Sequence, residues 1–107
     1  MEKAFKFERV TVEVSVVMTK PVLCLSGKSI DQWQEYLAIL REKTELKYAR
    51  EYDRARSILK FADMYHAEID LAEHRDGRLF WSFVFNEPAK ARIFMDEFQE
   101  CVMGSIM

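Results

Sequence analysis

Glycine and proline are scarce in this sequence, with three glycines and two prolines in 107 residues, and neither occurs between Lys28 and Asp76. A stretch without chain breakers excludes a loop-rich or low-complexity organisation and leaves room for a long regular element. Two cysteines are too few for a disulfide scaffold. No apolar run approaches the roughly 20 residues needed to cross a bilayer. A net charge of -2 is too small to imply a polyanionic partner or an acidic decoy of nucleic acid.

What is present is apolar and aromatic. Half of the residues are hydrophobic, and eight Phe, four Tyr and two Trp supply enough bulk for one core. A single α+β domain spanning residues 1–107 is expected. The N-terminal segment alternates charged and apolar residues and lacks an apolar signal-peptide core, so the cytoplasm is the expected compartment.

Between Ile30 and Ala62 the apolar positions recur with helical period: Ile30, Trp33, Leu37, Leu40, Tyr48, Tyr52, Ala55, Leu59 and Ala62, with Thr44 the one polar member. Ser29-Ile30-Asp31-Gln32 has the capping-box pattern, which starts the helix at Ile30. One unbroken helix would run about 50 Å, against a radius of gyration of about 13 Å for a compact domain of this size. A break between Arg41 and Leu46, at the weak link Thr44, is therefore favoured. An unbroken helix would instead overhang its domain and call for a dimer.

The flanking segments alternate with period two. Val10, Val12, Val14 and Val16 mark one buried face of a strand from Phe5 to Val17. Phe5 and Phe7 lie in the opposite phase, which requires a bulge near Glu8. Val22 to Leu25 is expected to return as a short second strand after the turn at Pro21. Ile69 and Leu71 alternate with charged residues, and Leu79, Trp81, Phe83 and Phe85 follow the turn at Asp76-Gly77. A three-residue loop with a G1 bulge would pair Leu71 with Trp81 and Ile69 with Phe83 on one face. A last helix opens at Pro88, buries Ala91, Phe94, Met95, Phe98 and Val102, and ends at Gly104. The expected architecture is an antiparallel sheet of three to four strands in two hairpins, with the long or broken central helix and the C-terminal helix on one face. Two hairpin-plus-helix units would hint at an internal duplication.

No catalytic or nucleotide motif is complete. Ser26-Gly27-Lys28-Ser29 matches the end of a P-loop, but Val22 stands where its first glycine belongs, leaving helix capping or a single bound anion. His66 and His74 share a strand at a separation of about 27 Å, too far to ligate one metal. His66 with Glu68 and Asp70, opposite Ser82 and Asn86, is the cluster closest to acid/base machinery, and it also fits a solvated sheet face. Cys24 and Cys101 sit among apolar residues and are expected to pack as small hydrophobes, ahead of a mutual disulfide or a reactive thiolate. No catalytic residue, cofactor or metal site is assigned.

Surface patterning points to partner binding. Seven Lys or Arg stand against four acids between Arg41 and Lys60. Lys43, Lys47, Arg50 and Arg54 fall on one side of a continuous helical wheel, opposite the apolar stripe. Such a stripe serves solvent, an acidic protein partner or nucleic acid. In the three-residue-loop register Ala72 faces Phe80, with Val84 further along, forming an apolar strip inside a polar rim. The expected function is that of a small non-enzymatic protein that binds another protein as an inhibitor, adaptor or regulatory subunit, as accessory proteins of phages and mobile elements do, and that pairs as a homodimer. The alternatives are a nucleic-acid-binding module using the basic helix and a small enzyme using His66, Glu68 and Asp70. No membrane partner is expected.

Overall fold

The computed structural model describes residues 9–24 and 26–106. Strand β1 (Val10–Val17) leads to helices α1 (Ile30–Lys43) and α2 (Leu46–Met64), strands β2 (Glu68–Arg75) and β3 (Arg78–Phe85), helix α3 (Pro88–Glu97) and strand β4 (Val102–Ile106). The sheet order is β2-β3-β1-β4, with every neighbouring pair antiparallel. This α+β arrangement is the β-α-β-β-α-β plan of ferredoxin-like sheets, with a pair of helices in the first crossover. The repeating unit is therefore strand-helix-strand, not the hairpin plus helix expected from the sequence.

Helix α1 opens on a local cap. Ser29 Oγ accepts the Gln32 amide at 3.2 Å, and Gln32 Oε1 accepts the Ser29 amide at 2.8 Å, closing the capping box. The central helix breaks where expected: Thr44 and Glu45 are extended, ending α1 and opening α2. After the break α2 folds back along α1, and Arg41 joins Asp53 across the hairpin at 2.6 Å. The hydrogen bond from Arg41 holds the Asp53 carboxyl below its ordinary range. The overhang argument for a dimer thus disappears with the break. Ile30, Trp33, Leu37, Tyr52, Ala55, Leu59 and Ala62 are all buried, so one helical stripe serves both helices.

The core lies between the helices and one face of the sheet. Val10, Val12, Val14 and Val16 of β1 and Leu79, Trp81, Phe83 and Phe85 of β3 point into it. Trp33 of α1 meets Trp81 edge-on at 5.6 Å, and Phe94 of α3 packs on Phe83 and Phe85.

Three sequence expectations are corrected. Val22 to Cys24 form no strand, and Leu25 lies outside the described residues. Both edges of β1 are already taken, by β3 and β4, so a returning strand has no place to pair. The segment runs against α1 instead, with the Leu23 amide donating to Tyr36 Oη at 2.7 Å. The C-terminal helix stops at Glu97, and Val102 begins β4, paired with Val14. In the β2–β3 hairpin Arg75 pairs with Arg78 across the two residues Asp76 and Gly77, at φ 55 and 71. Two consecutive left-handed residues make a type I′ turn, not the expected type I turn with G1 bulge. That register puts Leu71 opposite Ser82, and a bulge at Asp70 restores the match of Ile69 to Phe83. The chain thus solves the phase conflict inside the strand, not at the turn. The bulge expected near Glu8, with Phe5 and Phe7, lies outside the described residues.

Candidate functional site

All three helices cover one face of the sheet, and the opposite face is open among the described residues. The pleat sends alternate residues to this open face: Thr11, Glu13, Ser15 and Val17 from β1, and Arg78, Phe80, Ser82 and Val84 from β3. The bulge at Asp70 shifts β2, so Leu71, Glu73 and Arg75 join them. Leu71 is 66% exposed, Met103 59% and Val17 45%. These values identify the apolar part of the open face as accessible and distributed over three strands.

Phe80 sits near its middle, half-buried, under the Arg75 guanidinium at 4.0 Å from the ring centroid. Arg75 is in turn held by Glu73 at 3.2 Å. Glu13, Leu71, Glu73, Phe80, Ser82 and Met103 border a shallow depression of about 140 Å³. Ala72 is not part of this strip. It pairs with Trp81 and turns toward the core, because the two-residue turn moves the register by one position. Leu71 takes its place, a residue that the three-residue-loop reading had put inside. Val84 stays on the open face, between Glu68 and Thr11.

One end of the open face meets α2. Val17, Arg50, Arg54, Arg78 and Cys101 border a wider depression of about 470 Å³. Arg78 Nε donates to Ser15 Oγ at 2.5 Å, which satisfies a buried hydroxyl on the open side. Arg54 donates to Glu100 at 2.6 Å and to Cys101 Sγ at 3.4 Å. Glu51, on the same rim, accepts from the Thr19 amide and hydroxyl at 2.8 and 2.7 Å. The acids beside these arginines are thus already committed to specific partners.

The basic stripe loses one of its four members. Lys43 is the last residue of α1, while Lys47, Arg50 and Arg54 belong to α2, so the break removes Lys43 from their wheel. Lys47 lies over the Tyr48 ring at 5.2 Å, and only Arg50 and Arg54 reach the border of the open face. What the structure brings together is Arg50 and Arg54 with Arg78 and Val17, a convergence of sheet and helix residues 24 or more positions apart that no local pattern signals.

The other candidates disperse. His66 is in the turn after α2 at φ 62, outside β2. His74 turns inward and its Nε2 lies 2.8 Å from Met18 O. Since a carbonyl only accepts, that nitrogen carries the proton. Glu68 faces Val84 and pairs with Arg9 at 3.9 Å, Asp70 is bulged out, and Ser82 faces Leu71, so the expected acid/base cluster does not assemble. Among the described residues no group of three His, Cys, Asp or Glu is placed to hold a metal. Ser29 serves the α1 cap, and Lys28 lies 5.1 Å from the Tyr36 ring centroid. Both cysteines are free thiols. Burial pushes the Cys24 thiol up, with Glu73 adding to the effect.

No helix among the described residues is long and apolar enough to cross a membrane. No protein-family model matches the chain, and neither a curated protein nor a solved structure shows significant similarity to it.

Proposed function

We propose that this is a non-enzymatic protein-binding protein that occupies a surface of another protein with the open face of its sheet. The reading places it in the cytoplasm, as an inhibitor, adaptor or regulatory subunit. One observation carries it: Leu71, Phe80, Val84, Val17 and Met103 are displayed on the face opposite the helices, inside a rim of Glu68, Glu73, Arg75 and Arg78. An apolar centre with a charged rim is the composition of an interface. The arginine end suits a partner whose own rim is acidic there, which would speed encounter more than it tightens the complex.

The test is capture of a partner from cell extract by the tagged protein, followed by direct titration of that partner. The double substitution Leu71→Arg with Phe80→Arg is expected to weaken binding by tenfold or more, corresponding to about 1.4 kcal/mol or more. Lys43→Glu with Lys47→Glu should leave it within about threefold, since neither residue borders the open face. The reverse pattern, or a captured nucleic acid with steep salt dependence, would transfer the function to the basic helix surface.

A further inference from the structure

The two edges of the sheet are built differently. At one edge, β2 carries Glu68, Asp70, Glu73 and Arg75 within eight residues and is bulged at Asp70. Charge and a bulge are the devices that keep an edge from pairing with another chain. At the other edge, β4 reads Val102-Met103-Gly104-Ser105-Ile106, with no charged residue and no proline. Its pairing with β1 holds an irregularity at Met103, between the Glu13–Gly104 and Val14–Val102 pairs, but Gly104 to Ile106 continue in register. Among the described residues no strand lies against its outer side.

We infer that β4 pairs with β4 of a second copy of this chain, antiparallel about a two-fold axis near Gly104, to make one continuous eight-stranded sheet. The two edges differ as self-pairing surfaces. Two β2 strands related by a two-fold between Leu71 and Ala72 would set Asp70 against Glu73 twice and Glu68 against Arg75 twice, and would have to pair across both bulges at Asp70. Two β4 strands centred on Gly104 set Gly104 against Gly104 and Met103 against Ser105, with no like charges opposed. The glycine itself is a second indication. A Cβ at Gly104 would meet nothing within 4 Å, and its φ lies outside the positive range, so neither space nor a left-handed backbone requires glycine there. Glycine inside a strand marks a bulge, such as the one beside it at Met103, or a place where another backbone comes close. Closed two-fold pairing is the commonest way for identical chains to use such an edge.

The pairing is independent of the open-face reading, but it has a consequence for it. Met103 belongs to both surfaces, so the two open faces would adjoin across the axis and present one extended, bivalent face. A five-residue strand pair lies at the low end of interface sizes, so the dimer is concentration-dependent.

Sedimentation equilibrium of the whole chain, from low to several hundred micromolar, reads the association directly. The unmodified protein is expected to pass from monomer to dimer. Met103→Lys with Ser105→Lys changes two exposed positions and sets four ammonium groups around the axis, which should raise the dissociation constant about tenfold or more. Phe80→Arg should leave it within about threefold. Amide hydrogen exchange gives a second readout on the unmodified protein: protection of Val102 to Ile106 should rise with concentration while that of β2 does not. A monomer at every concentration, including one whose β4 edge instead captures an extended peptide, overturns the proposal. So does a dimer insensitive to the lysines, a dimer dissociated by Phe80→Arg, or β4 protection that is independent of concentration.

Discussion

The two faces of the sheet come from the same strands and obey different rules. On the helix side, Val12, Val14, Leu79, Phe83 and Phe85 are fully buried, and Trp81 is nearly so. On the open side, alternate residues of the same strands are Glu13, Ser15, Arg78, Phe80 and Ser82, a mixture with no single character. The covered face is held by close packing, where each apolar group removed costs transfer free energy and leaves a cavity. The open face answers to solvent and to whatever binds there, so its residues are set pair by pair. Ser15 is buried because Arg78 reaches over it, and Phe80 is half-covered because Arg75 stacks on it. Burial alone therefore does not separate core from surface in this protein; the covering element does.

The comparison is broken most sharply by truncating neighbours on opposite faces. Phe83→Ala should cost about 3–5 kcal/mol, since Phe83 is fully buried against Trp81 and Phe94. Val84→Ala, one residue along on the open face, should cost under about 1 kcal/mol. Urea denaturation of both variants measures the difference, and equal losses would mean that both faces are packed.

The next effect tests how the faces keep their phase. Gly77→Val introduces a β-branched residue at φ 71 in the type I′ turn and should destabilise by about 1 kcal/mol or more. Because the register is anchored by Ile69 opposite Phe83 as well as by the turn, the variant should still bury Trp81. An unchanged melting temperature would show that the turn tolerates another geometry.

The smallest effect lies on the helical layer. Asp53 titrates below its ordinary range because Arg41 donates to it, so the folded state binds this proton less readily than the unfolded chain. Its contribution is present above about pH 4 and is lost as pH falls through the depressed value. The pair is largely exposed, so the contribution is small. Comparing the acid limb of the stability curve for the unmodified protein and Asp53→Asn should show the difference only above that window. A difference that persists at lower pH would assign the effect to the substitution itself and not to the ion pair.

Much of the covered face was legible in the sequence, because its signals are periodic and local. The helical stripe, the cap at Ser29, the break at Thr44 and the inward valines of β1 were all readable within a few residues of where they act. The open face was legible only in part. The hydropathy pattern puts Phe80 and Val84 on the open face, where they lie, but it puts Leu71 in the core and Ala72 at the surface. A one-residue change of turn exchanges the two faces of a strand, and the compensating bulge at Asp70 leaves no mark in the hydropathy pattern. The basic stripe loses Lys43 for a related reason: a wheel drawn through Thr44 joins residues that the break separates.

The amino-acid sequence by itself determined the order of most elements, the helix starts and the identity of the buried stripe, since these follow from periodicity, capping and chain breakers acting over a turn or two. Tertiary structure alone decided that Val102–Ile106 is a strand, that Val22 to Cys24 is not, and that Arg50, Arg54 and Arg78 share a border. A five-residue segment such as β4 has too little local preference to choose its state; it becomes a strand because the free edge of β1 satisfies its backbone. The same edge is then unavailable to Val22, and the neighbours that make up the open face are brought together only by this pairing.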